Sequence, residues 1–193
     1  MWLFDMDKKQ VIAESRKYMQ GILQKVNAIP TIKNMIEDMG NELALNTAPN
    51  VAPYGVSNKS AYAGDKSPTS SKAERHEYLR AAILRERAKL GRMELDILNA
   101  RTSICHKFTM SMHVREWMVL EALYFDGLSQ QQTALKMKCS GAMVSIINKK
   151  ALLSVGSAVL GMQADGEYYE DNGMYIDFTP AQKKRIQEGI TLV

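Results

Sequence analysis

Between Leu79 and Ile104 apolar side chains recur at every third or fourth residue. The series is Leu79, Ile83, Leu90, Met93, Ile97, Ala100 and Ile104, with Glu86 its one polar member. A step averaging about 3.5 residues marks a coiled-coil seam, and Arg and Glu fill most of the remaining surface of this segment. The pattern runs from Ser71 to about His106, which at 1.5 Å per residue implies a helix roughly 50 Å long. A seam of that length must be covered by something. Two partners fit: the N-terminal segment folding back on it, or the same helix of a second chain, which would give a homodimer through Leu79–Ile104.

The N-terminal segment carries its own helical pattern. Ile12, Met19, Ile22, Val26 and Ile29, with Ser15 completing the series, lie on one face of an amphipathic helix over residues 6–28. Pro30 pushes its predecessor out of the α region, which predicts a stop or kink. A second helix with Ile32, Met35, Ile36, Met39 and Leu43 on one side would then complete a helical hairpin over residues 1–45. Residues 46–72 change character, with three prolines and two glycines among Ser, Asn and Ala. A segment so poor in large aliphatics cannot offset the entropy of ordering. It reads as a flexible linker, anchored locally at most by Tyr54 or Tyr62.

The long charged helix spans 73–110, and residues 111–156 hold three shorter helices. Trp117, Leu120, Leu123 and Tyr124 form the apolar face of the first, and Gly127 ends it. The next two have the spacing of a helix-turn-helix. Ser129 caps one helix, Ala134 is small where two helices would cross, and Met137 precedes the turn. Lys138 stands where a left-handed residue is needed, a position Gly usually takes. Ser140 caps the second helix, whose Val144 and Ile147 face inward. That leaves Gly141, Ala142, Met143, Ser145, Ile146, Lys149 and Lys150 outward, and the N-terminal half of such a helix is the part that reaches base edges. The amides capped by Ser140 suit a phosphate. Gln130 and Gln131, in the first turn after Ser129, suit the DNA backbone or a flanking base. From Ser129 to Leu152 there are four lysines and no acid. Lysines mainly hold phosphates, and the second helix opens with no Arg, Gln or Asn to read bases. The same spacing also suits a packed helical hairpin with a solvated lysine face.

Charge is uneven. The net charge is +4, with residues 74–115 at +4 and residues 154–193 at −3. Such asymmetry suits a polyanion binder carrying a separate acidic module, and it also suits solvated helix faces. The acidic tail, 157–193, places Asn172-Gly173 between Tyr168, Tyr169 and Tyr175, Ile176, Phe178. This predicts a β-hairpin with a type I′ turn, forming a solvated acidic arm. Thr179, Pro180 and Gln182 then open a final helix as cap, first residue and capping-box partner.

Residues 114–153 resemble region four of sigma factors. The shared frame is Arg115-Glu116, Val119-Leu120, Tyr124, Gly127-Leu128-Ser129, Thr133-Ala134, Ser140, Val144 and Ala151-Leu152. More specifically, about residues 45–155 are similar to the ArpU/RinA-type phage transcriptional regulators, sigma-like activators of late genes. The order of parts carries the resemblance: an amphipathic helical start, the segment APYGVSNKSAYAGDKSP, a long charged helix, and this helix-turn-helix ending in KKAL. The resemblance implies binding of promoter double-stranded DNA by Ser140 to Lys150 and contact with host RNA polymerase. The helix from Trp117 to Tyr124 would support the DNA-binding helices and offer a polymerase surface.

Other classes find fewer parts. His76, His106 and His113 are not spaced as metal ligands. Cys105 and Cys139 lack a catalytic or zinc context. There is no Gly-rich phosphate loop, and Asp165, Glu167, Glu170 and Asp171 lack calcium-loop spacing. No enzyme, cofactor or metal is expected. With no apolar run of membrane length and no signal peptide, the expectation is a cytoplasmic protein without a membrane partner. The expected fold is mainly α. A small terminase subunit, an oligomeric DNA-packaging adaptor, also joins a helix-turn-helix to helical oligomerisation segments. It is the rival to a regulator, and a protein-interaction module without DNA is the third reading.

Overall fold

The computed structural model describes residues 5–47 and 68–187. Within them the chain is mainly α-helical. In order it forms β1 (Asp5–Met6), α1 (Lys8–Thr47), α2 (Pro68–Met110) and α3 (Val114–Leu120), which runs into a π-helical turn (Glu121–Phe125). Then come α4 (Gln130–Lys136), α5 (Gly141–Ala158), β2 (Gln163–Ala164) and α6 (Pro180–Gln187). No described helix is long and apolar enough to cross a membrane. Most of the expected linker, with Tyr54 and Tyr62, lies outside the described residues. Its last residues are helical, since α2 starts at Pro68, a first helical position that has no use for the missing N–H.

The N-terminal helical hairpin is not present. One helix of 40 residues runs through Pro30. Proline removes its own N–H and crowds the carbonyl four residues back, here Val26, at a cost of about 3 kcal/mol in a helix interior. Pro30 is exposed, so its ring displaces nothing from the apolar face. Ile32, at 5 % exposure, continues that face beyond it, and burying such a side chain returns about 2 kcal/mol.

The described chain divides into two compact units, residues 27–95 and residues 1–26 with 96–193. In the first, the later part of α1 runs antiparallel to the earlier part of α2. Lys33 pairs with Glu94 at 3.1 Å and Glu42 with Arg75 at 2.7 Å. These pairs are half exposed and worth at most about 1 kcal/mol each, so the apolar stripe supplies the greater part of the stabilisation. Leu79 and Ile83 are buried, and Glu86, Leu90 and Met93 are half-buried.

In the second unit, Met19 and Ile22 of α1 share a cluster with Ile104 and Phe108 of α2, and with Trp117, Leu120 and Leu152. Lys25 and Asp96 pair at 2.6 Å. The two ends of the seam, Leu79 and Ile104, are 1 % and 0 % exposed in a single chain. Where α1 crosses α5, Gly156 is required: a Cβ there would lie 2.5 Å from Val11 Cγ1 and 2.7 Å from Ser15 Oγ.

The acidic tail is part of this core rather than a solvated arm. Met174 is fully buried in the main cluster, and Tyr175 joins Val11, Leu153 and Ala164 in a second one. Its charges find distant partners, Glu167 with Lys8 at 2.7 Å and Glu170 with His113 at 2.9 Å. β1 pairs in parallel with β2, Asp5 opposite Gln163. The chain reversal at 170–174 is not the expected type I′ turn. Glu170 N–H donates to the Met174 carbonyl and Gly173 N–H to the Glu170 carbonyl, both at 2.8 Å. Gly173 alone has positive φ, at 81°. This is the three-residue loop in which a left-handed glycine follows an ordinary turn. The Asn172 side chain is occupied by Ser111 and the Met174 N–H. Only one bridge, Tyr169 with Tyr175, extends the pairing. At α6, Thr179 N–H donates to Gln182 Oε1 at 2.9 Å, one half of the expected capping box.

Candidate nucleic-acid interface

Three short helical segments meet around Val119, Ala134, Val144 and Ile147, with Leu123, Met137 and Cys139 packed against them. The joints follow from local chemistry. Ser129 and Gln132 form a reciprocal capping box at α4, which satisfies two otherwise orphaned N–H groups. Ser140 caps α5 by accepting from Met143 N–H at 3.2 Å. Between them, Cys139 N–H reaches the Ala134 carbonyl at 3.0 Å and Lys138 N–H the Leu135 carbonyl at 3.2 Å. That pair of bonds is a Schellman motif. It places Lys138 at φ 51°, the left-handed conformation, at a cost of about 1 kcal/mol for a residue with a Cβ. The π-helical turn and Gly127, at φ 67°, complete the approach, with Leu128 N–H bonded to the Ala122 carbonyl at 2.9 Å.

The outward residues of α5 form a plain surface. Ala142, Met143, Ile146 and Lys149 are exposed, and Gly141 and Ser145 are half-buried. Ile146 is 62 % exposed and, on α4, Leu135 is 80 % exposed. Ser129, Gln131, Lys138 and Ser140 are exposed beside them. Two expected contacts are already engaged within the chain. The Gln130 amide donates to the Gly141 carbonyl at 2.7 Å. Lys150 is half-buried, with its ammonium 3.7 Å from Glu116. Glu116 also lies 3.6 Å from His113, whose other ring nitrogen meets Glu170. A polar chain therefore links α5 to the C-terminal segment. Lys136 is turned to Asp126 at 2.8 Å, and that hydrogen bond raises its pKa.

The expected polymerase surface is reduced. Trp117, Leu120 and Tyr124 are buried, and on α3 only Val114, Arg115 and Met118 face solvent appreciably.

A feature the sequence did not disclose adjoins α5. Arg16 and Gln20 of α1 line an open groove of about 340 Å³ together with Ser145, Asn148 and Gln130. In sequence these two residues announce only that they avoid the apolar face of α1. The crossing at Gly156 is what brings them here.

Lys8 donates to Glu167 and to the Tyr175 hydroxyl. Burial, with Glu167 alongside, pushes the Tyr175 phenol up to about 12 against the pull of Lys8. Burial works to lower the Lys8 ammonium, but its hydrogen bonds to Glu167 and Tyr175 outweigh that and raise it. Among the described residues, no three His, Cys, Asp or Glu side chains assemble as a metal-binding group. The chain matches no protein-family model, no curated protein and no solved structure.

Proposed function

We propose that this chain is a DNA-binding transcription regulator of the phage, sigma-like kind. In this reading α4 and α5 form a helix-turn-helix that binds promoter double-stranded DNA. The observation that supports it best is the joint itself: two serine-capped helices held by a left-handed Lys138 around one apolar centre, with the N-terminal half of α5 open to solvent. That half is the part of a second helix that enters a major groove. Lys149 and Lys138 would hold phosphates, while Ala142, Met143 and Ile146 offer apolar contact to thymine methyl groups. Val114, Arg115 and Met118 are the α3 residues that a polymerase subunit would meet.

Electrophoretic mobility with double-stranded DNA at low salt tests the reading. The parent should bind, and Lys149→Glu should weaken binding to all sequences alike. Absence of binding by the parent would refute it. A large closed ring in solution, in place of a monomer or dimer, would instead favour the packaging adaptor.

A further inference from the structure

The outward face of α5 has the apolar and phosphate-holding side chains for DNA but lacks those that best discriminate bases. Besides Asn148 and the already engaged Gln130, α1 brings side chains of that kind to the same groove. Arg16 and Gln20 are exposed, one helical turn apart, on the face beside the buried Ser15 and Met19. They share one groove with Ser145 and Asn148 of α5, and none of the residues lining that groove is acidic. Next to them, at Val11 and Ser15, α1 meets α5 at Gly156 with no room for even a methyl group. No described acid forms an ion pair with Arg16, whereas Lys17, one residue on, pairs with Glu14 at 3.9 Å.

We propose that α1 extends the DNA-facing surface of α5: Gln20 is a specificity-determining residue that reads a base edge beside those that α5 meets, and Arg16 is a positioning residue that holds a backbone phosphate. The inference rests on the DNA-binding reading above. The chemistry fits each role. A guanidinium pairs with phosphate in a fork, and a glutamine amide offers a donor and an acceptor to one adenine. A surface of this kind also accounts for how so plain a second helix could choose a sequence.

The test is selection from a pool of randomised duplexes by the full chain, followed by affinity measurements on the selected sequence at several salt concentrations. Gln20→Ala should lose discrimination at one or two flanking base pairs, by about 5- to 150-fold, and leave the rest of the motif intact. Arg16→Ala should weaken all sequences and lower the salt slope by about one. Lys17→Ala, on the neighbouring face, should change neither. All three positions are exposed, so unchanged thermal midpoints will separate contact from folding. If the parent selects a motif that Gln20→Ala keeps whole, and Arg16→Ala keeps the parental salt slope, the inference is wrong while DNA binding stands. If the parent binds but selects no motif, the inference alone falls; if it binds no duplex at low salt, DNA binding and the inference fall together.

Discussion

Thr133 lies in α4 with its side chain fully buried, and its hydroxyl oxygen has no hydrogen-bond partner among the described residues. A buried hydroxyl without a partner forfeits its hydration, which costs about 1–3 kcal/mol. Thr133→Val keeps the volume and the β-branch, so helix propensity and packing change little. The exchange should therefore stabilise the protein by about 1–3 kcal/mol. For a chain of this size each kcal/mol moves the midpoint by about 2–4 °C, so thermal unfolding followed by circular dichroism should show a rise of several degrees. Thr133→Ser supplies the complementary arm. It keeps the hydroxyl and removes a buried methyl group, which should cost about 1 kcal/mol. A fall in midpoint for Thr133→Val would show that the hydroxyl makes a favourable bond, through water or to the backbone, and would refute the reasoning.

Gly156→Ala should destabilise by about 1–3 kcal/mol through overpacking, because Val11 and Ser15 leave no space. Gly91→Ala, in a helix with nothing within 4 Å, should stabilise by about 0.4–1 kcal/mol; denaturant midpoints compare the two. Met174→Ala should cost about 2–5 kcal/mol, since Met174 is fully buried in the main cluster, and a near-neutral result would return the tail to the status of a loose arm. Tyr175 is raised to about 12 in the folded chain, above the ordinary tyrosine value near 10. Between those values the folded state holds the extra proton, so this contribution is fully present below about pH 10 and is lost as pH rises toward 12. Burial also raises Tyr18 and Tyr169, so phenolate absorbance should show its last tyrosine step at about 12, and Tyr175→Phe should remove that last step. A step unchanged in Tyr175→Phe would contradict the assignment.

The sequence was most informative where local chemistry and periodicity decide. All eight positions of the α2 series are buried or half-buried. Ser129 and Ser140 cap their helices, Lys138 takes the left-handed conformation, and Val144 and Ile147 turn inward. It misled at Pro30 in that the helix does not stop there, because a rule about one residue and its predecessor says nothing of the burial on either side of it. The type I′ expectation failed at Asn172 for a related reason: its side chain is committed to Ser111, which lies 61 residues earlier in the chain. Charge balance suggested a free acidic arm, since Glu167 gives no sign of Lys8, 159 residues away. β1 and β2, two residues each, are too short to carry a periodic signal. Of the expected contact residues, Gln130 and Lys150 are drawn into bonds within the chain. That Arg16 and Gln20 share a groove with Ser145 is invisible in the sequence, because only the tertiary crossing of α1 over α5 makes them neighbours.

The most direct test of DNA binding through α5 is the salt dependence of affinity for double-stranded DNA, measured by fluorescence anisotropy on the parent and on Lys149→Glu. Lys149 is exposed on α5, and each phosphate contact contributes about −0.9 to the slope of log K against log salt. The account predicts a steep parental slope that shrinks by about one in the variant. Identical slopes, or no binding by the parent at low salt, would contradict it.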